Sequence, residues 1–432
     1  MKKTDLGYTC LDLFAGCGGL STGFEMAGFR VVAANEYWEP AQESYKVNHP
    51  STIFVPGDIT KESTRQNIIE SFDDAGCDVI LGGPPCQAYS IAGLRDPDDP
   101  RGKLFTNYVD LVDALRPKIF VMENVKGILT MCYDREDLTP VEKSYLEDYR
   151  QLEKAESELC LLRKKSGNNP DKYKFGANER SRLKRIRKEK RNRKKEVKEL
   201  REPVTHKIAR SFEEIGYRIE YQVLNASHFG VAQDRDRVFF IGTRYPIAIR
   251  FPEPTHGDAQ QTRFCETSLL PLVTVEEMID DLKDAPEDVE FSQIYTSHSP
   301  EFREKIRKTA IGENVYGGYS DSFYRNPPDR PSRTVKENHG GVFVHYSRDR
   351  VMTPRELARL QSFPDSYIFK GSKSSILVQI GNAVPPLLGK AVGLAVIDML
   401  NQIKDSEELE QHPKDMTTEL EKDLIPTNLA RL

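Results

Sequence analysis

The sequence predicts an α/β fold built around a mainly parallel sheet. Three observations carry that prediction. Strand and helix signals alternate through the first 130 residues. The strand candidates are short apolar runs bounded by turn residues, as expected of strands buried on both faces. Two further strand candidates, Arg218 to Leu224 and Arg237 to Gly242, follow a long charged gap.

The elements read as follows. Tyr8 to Phe14 is a buried strand, followed by a glycine cluster and a helix carrying Leu20, Phe24 and Met26. Phe29 to Ala34 is a Val-rich second strand, and Cys77 to Leu81 and Lys118 to Met122 are two more. From Tyr133 to Glu202 charge dominates. Val141 to Leu162 sets Leu among Glu and Lys at helical spacing, and twelve Lys or Arg fall between Arg180 and Lys198. This segment reads as a helical hairpin turning at Asn168-Asn169-Pro170. It is either a solvated insertion or an arm that grips DNA phosphates. Residues 246–348 are rich in Pro, Gly and polar residues and read as a separate loop-rich domain. A helix from Pro354 to Gln361, the segment Gln379 to Asn382 and an apolar helix from Pro385 to Leu400 come next. That last helix is too apolar to stand alone, so it must pack back on the first domain. The tail after Gln402 is charged and reads as frayed.

Composition narrows the function. The 432 residues are 30% charged and 38% hydrophobic, with a formal net charge of -5. The overall charge does not announce a nucleic-acid partner, yet a basic cleft fits within an acidic whole. Seven scattered cysteines without a Cys-x-x-Cys pair argue against a disulfide framework or structural zinc and fit a reducing, cytoplasmic setting. The N-terminus reads as free of a signal peptide, and no stretch reads as long and apolar enough to span a bilayer.

Four segments carry chemistry. Asp12 to Leu20 ends a strand and opens a helix, with Phe14, Gly16 and Gly18 at the turn. It is a tight turn or a ligand cradle. It is not a dinucleotide fingerprint, because Ser21 stands where the third glycine is required. Glu36 ends the next strand, where a carboxylate can accept both ribose hydroxyls. Gly82-Gly83-Pro84-Pro85-Cys86-Gln87-Ala88-Tyr89-Ser90 is the strongest signal. Two prolines stiffen the loop at the carboxyl edge of the sheet and present Cys86 there. Glu123 ends the following strand, and Gln233-Asp234-Arg235-Asp236-Arg237 precedes the last. Arginines at i and i+2 face the same way on an extended chain, as a surface cluster or as an anion or base clamp.

These segments, in this order, resemble the cytosine-5 DNA methyltransferase family of bacterial restriction-modification type. The likeness also rests on Gly57-Asp58-Ile59, Arg355 to Gln361 and Gln379 to Pro385. It covers residues 8 to about 130, 203 to 245 and about 350 to 400, while the charged insertion departs from compact members.

The resemblance implies a Rossmann-like methyltransferase fold that binds S-adenosyl-L-methionine and releases S-adenosyl-L-homocysteine. Phe14, Gly16, Gly18, Glu36, Asp58, Ile59, Asn382 and Val384 would hold the cofactor. Cys86 would attack carbon 6 of a flipped-out cytosine, with Glu123, Arg235 and Arg237 supporting catalysis. Gln87, Ser90, Gln233 and Arg235 would touch DNA. No metal is required. The implied partners are double-stranded DNA and a separate cognate restriction endonuclease, and one flipped base per event needs only a monomer.

The implied organisation is a catalytic domain in three pieces, 1–132, 203–245 and 349–402. The insertion 133–202, a target recognition domain at 246–348 and a tail at 403–432 complete it. Two rivals are a transfer-RNA methyltransferase, whose Cys-Phe-Thr segment this chain lacks, and a DNA-binding homologue that has lost catalysis.

Overall fold

The computed structural model describes residues 7–72, 76–85, 100–168, 172–258, 269–317, 322–337 and 342–411. Its centre is a seven-stranded sheet. The chain lays down β1 (Thr9–Leu13), α1 (Gly19–Ala27), β2 (Arg30–Glu36), α2 (Glu39–Asn48), β3 (Ile53–Pro56), α3 (Glu62–Ile69), β4 (Val79–Gly82), α4 (Pro100–Leu115) and β5 (Ile119–Val125). After the charged segment come β8 (Arg218–Asn225) and β9 (Asp236–Thr243). The strand order is β3-β2-β1-β4-β5-β9-β8. Pairings from β3 through β5 are parallel, and β9 runs antiparallel between β5 and β8. The short edge strand β3 has no counterpart in the sequence reading.

The central strands are apolar runs because helices cover both faces. On one face Val79, Leu81, Ile119 and Val121 pack with Phe24 of α1 and with Leu388, Val392 and Val396. The latter three belong to α12 (Pro386–Gln411). On the other face Phe120 stacks on Phe212 at 3.9 Å between ring centres, with Tyr108 of α4 edge-on to both. The last apolar helix therefore packs on the first domain, as expected. It does not fray at Gln402: the helix continues to Gln411, and Ile403 is fully buried. A second correction concerns its composition. The segment Lys373–Glu407 is long and apolar enough to cross a membrane, but its most apolar window is 67% buried within the protein, as in a core helix.

Strand order creates the site. The chain leaves β1 in one direction through β2 and β3, then crosses back to β4 and β5 on the other side. The crevice of such a sheet opens at the carboxyl ends of the two strands where the order reverses. Here those strands are β1 and β4, so the turn after Leu13 and the loop after Gly82 are neighbours.

Between Tyr245 and Tyr346 regular structure is sparse, as expected. Among the described residues it comprises the two-residue strands β10 (His256–Gly257) and β11 (Leu270–Pro271), with α8 (Val275–Ile279), a 3-10 turn at Asp280–Leu282 and α9 (Pro300–Lys308). Val275, Ile279, Val335 and Phe343 share a core with α10 (Pro354–Leu360) and α11 (Lys373–Asn382) through Leu357, Leu360 and Ile380. Of α11 the sequence singles out only the last residues, Gln379 to Asn382.

The chain divides into two compact units, Met1–Ala88 with Lys103–Lys126 and Ser211–Leu432, and Tyr89–Gly102 with Gly127–Arg210. The smaller unit contains a helical hairpin, α5 (Pro140–Asn168) and α6 (Ala177–Glu199). The expected turn residues Asn169 and Pro170 lie outside the described residues. At its base β6 (Cys132–Asp134) pairs antiparallel with β7 (Arg201–Pro203). Leu159, Leu183 and Ile186 pack between the helices, and Glu156 accepts from Arg187 and Lys190, both at 2.8 Å.

Candidate active site

The glycine turn after β1 has the backbone of a cradle. Phe14, Gly16 and Gly18 all have positive φ, at 57°, 56° and 95°. Gly16 faces open space: a β-carbon built there meets nothing within 4 Å. Gly19 is the opposite case, because a β-carbon there would stand 2.3 Å from Val384 O. The segment following α11 thus closes on the first turn of α1, and Asn382, one residue before Ala383, is exposed.

Glu36 ends β2 beside this turn. Its Oε2 accepts from Gly16 N at 2.8 Å, and Oε1 accepts from Tyr37 N and Trp38 N at 2.9 and 2.7 Å. Burial raises its pKa, and these three N–H donors oppose the rise. A carboxylate offers about four acceptor positions, so roughly one remains on Oε2 for an incoming hydroxyl. The ring of Tyr37, 73% exposed next to that carboxylate, offers a flat apolar surface that sequence reasoning passed over. Asp58 Oδ1 accepts from Thr60 N at 2.9 Å and stiffens its turn, while Ile59 is buried. The open face above Gly16 and the anchored carboxylate fit an adenosine-containing cofactor.

Glu123 stands at the other side of the crevice, on β5. A β-carbon at Gly83 would come within 3.2 Å of Glu123 Oε2, so the loop after β4 passes directly by this carboxyl. Asn124 donates Nδ2 to Pro84 O at 2.8 Å and ties that loop to β5. This is the contact the sequence did not disclose, although Asn124 sits beside Glu123 in the chain. Cys86, Gln87 and Ser90 follow and lie outside the described residues. Burial pushes the thiols of Cys10, Cys17 and Cys77 up, that of Cys17 to about 12, so none is a ready thiolate.

Arg237 closes the arrangement. Its Nε lies 2.8 Å from Glu123 Oε1, and its Nη1 donates to Asp236 O at 2.8 Å. Burial raises the pKa of Glu123, and Arg237 and Arg235 pull it back in part.

Two expected DNA contacts are corrected. Arg235 is 1% exposed. It donates to Val335 O at 2.7 Å, Gly381 O at 2.8 Å and Ala383 O at 3.0 Å. Gln233 is fully buried, donates to Leu360 O and Gln361 Oε1, and accepts from Val335 N at 2.9 Å. Both side chains tie distant segments to the sheet and are buried, which keeps them from any surface that DNA could reach. The i, i+2 spacing put Arg235 and Arg237 near the same carboxylate, yet only Arg237 keeps a polar end at the crevice.

Comparison with known proteins now decides the family. The model of the C-5 cytosine-specific DNA methylases matches residues 8–149 and 191–398. The chain belongs to that family. It is 30% identical to the type II methyltransferase M1.HphI of Haemophilus parahaemolyticus, over 91% of this chain and 88% of that one. It is likewise 30% identical to M.DdeI of Desulfomicrobium norvegicum, over 92% and 91%. A solved structure of a prophage-encoded protein from E. coli, described as a DNA modification methyltransferase, shares the fold with a TM-score of 0.59 at 24% identity, over 91% and 100%. The S. pombe Dnmt2 methyltransferase aligns with a TM-score of 0.54 at 15% identity, over 91% and 99%. The family match omits residues 150–190, most of the charged hairpin.

Proposed function

We propose that this chain is the modification methyltransferase of a type II restriction-modification system, acting on double-stranded DNA alongside a separate cognate endonuclease. As a member of its family it is a DNA (cytosine-5-)-methyltransferase, and its class uses S-adenosylmethionine. The observation that carries the residue-level reading is the approach of Glu123 to the loop that leads into Cys86, with Arg237 bonded to the same carboxyl.

The bound cofactor supplies an electrophilic methyl group. Cytosine carbon 5 is too poor a nucleophile to take it unaided. Cys86 Sγ adds as thiolate to carbon 6 of a base swung out of the helix, while Glu123 gives its proton to nitrogen 3. The ring becomes an enamine, electron-rich at carbon 5. After methyl transfer a base takes the carbon 5 proton, Cys86 leaves and Glu123 recovers its proton. Burial raises the pKa of this carboxyl, which suits a group that must carry a proton to the base. Arg237 orients Glu123 and offers its remaining N–H groups to the base carbonyl. Glu36 takes a ribose hydroxyl, Asp58 and Ile59 flank the adenine, and Phe14, Gly16, Gly18, Asn382 and Val384 wall the pocket. Residues 246–348 form the target recognition domain, and Gln87 and Ser90 meet DNA beside the nucleophile.

Bisulfite sequencing tests this in a host without cytosine methylation, expressing either the wild-type chain or Cys86→Ala. Protected cytosines in one fixed context, seen only with the wild type, are expected. No protection with folded wild-type protein would overturn the reading.

A further inference from the structure

Helix α6 carries an ordered row of cations. Lys184, Lys188, Arg191, Lys195 and Lys198 follow the spacing i, i+4, i+7, i+11, i+14 and are all exposed. At 3.6 residues per turn they form one stripe, about 21 Å long at ~1.5 Å rise per residue. None of the five has an acidic partner among the described residues. Three acids of the hairpin are engaged elsewhere: Glu156 holds Arg187 and Lys190, Glu189 holds Arg193, and Glu153 faces Arg201. Leu183, Ile186 and Val197 occupy the face turned towards α5. The helix as a whole has twelve Lys or Arg against four Glu, within a chain of net charge -5.

Like charges three and four residues apart destabilise a helix. The row is therefore a cost in the free protein that a polyanion would relieve. Lys184 and Lys188 lie in the stretch 150–190 that the family match omits, and Arg191, Lys195 and Lys198 continue the row into the matched part.

We infer that the stripe on α6 is a second, sequence-independent DNA contact that tracks phosphates of the duplex on which the enzyme acts. The inference rests on the methyltransferase reading, since the duplex is the polyanion that reading supplies. Each phosphate neutralised releases counterions and adds close to one unit to the dependence of affinity on salt.

The test uses the full chain with all five positions changed to Gln, which keeps helix propensity and removes charge. Affinity for a duplex of ~40 base pairs is measured across a salt series with S-adenosylhomocysteine present. Loss of five contacts should lower the salt slope by about 4 and raise Kd at low salt at least tenfold. A second variant, with the four lysines changed to Arg, should keep the wild-type slope, and circular dichroism should show equal helix content in all three proteins. An unchanged slope and Kd in the Gln variant would overturn the inference. So would loss of affinity confined to single-stranded RNA of equal length. Bisulfite protection by the wild type, scored in parallel, separates failure of the stripe from failure of the methyltransferase reading.

Discussion

Arg237 and Glu123 meet diagonally across paired strands: Arg237 lies opposite Val125 in the register, and its Nε reaches back to Glu123 Oε1 at 2.8 Å. Val125 and Glu123 project from the same face of β5, which makes the reach possible. The arginine lowers the pKa that burial raises. Glu123→Gln should cut kcat at least ~100-fold with little change in cofactor affinity, because an amide cannot pass a proton to the base. Arg237→Ala removes the lowering influence, so the Glu123 pKa rises further. The alkaline limb of its kcat–pH profile should move to higher pH, at a lower plateau. A limb that stays put would dissociate Glu123 from the proton transfer.

Arg235 predicts a stability effect. Removing it leaves two buried carbonyls, those of Val335 and Gly381, and the half-buried carbonyl of Ala383 without their donor. Arg235→Ala should cost about 3–5 kcal/mol, as unsatisfied buried polar groups and a cavity add up. Chemical denaturation of wild type and variant measures this. A loss below ~1 kcal/mol, with DNA affinity reduced, would return Arg235 to the DNA surface.

Two glycines three residues apart, Gly16 and Gly19, should fail in different ways. Gly16→Ala meets no atom but must hold φ 56°, so it should fold with a loss of about 1–2 kcal/mol and bind cofactor weakly as its methyl enters the open face. Gly19→Ala drives a β-carbon against Val384 O and should lower the melting temperature strongly. Calorimetry of cofactor binding and of unfolding reads both.

Asp12 predicts a pH effect. It is 1% exposed, accepts from Ser21 Oγ at 2.5 Å, and burial raises its pKa to about 6 from 3.8. The folded state thus keeps a proton that the unfolded chain loses first. That stabilisation is complete below pH 3.8 and lost as pH rises through about 6. Asp12→Asn keeps the acceptor without the charge. Relative to wild type it should gain up to ~3 kcal/mol between pH 4 and pH 8. Urea midpoints at the two pH values check the sign, and a gain largest at pH 4 would refute it.

Much of this was legible because it is written in local chemistry. The runs Thr9–Leu13 and Ile119–Val125 announce buried strands. What escaped depends on neighbours distant in sequence. The Ile53–Pro56 strand is four residues at a sheet edge, too short for periodicity to register. Gln233 and Arg235 are polar, and composition places polar residues outside. Their burial becomes intelligible only when Val335, Leu360 and Gly381 arrive from a hundred or more residues away. The bond from Asn124 to Pro84 is likewise invisible until β4 and β5 lie side by side.

The contact of Gly19 with Val384 sets an order of assembly during protein synthesis. The ribosome finishes β1, β2 and Glu36 early, but the wall at Val384 is made 348 residues after Glu36. At about 5–20 residues per second that is a delay of roughly 20–70 s. Throughout it the emerging chain has an uncovered face on α1. A nascent or prematurely terminated product therefore lacks the segment that closes on the first turn of α1, and only chains that have passed residue 384 bring the two together.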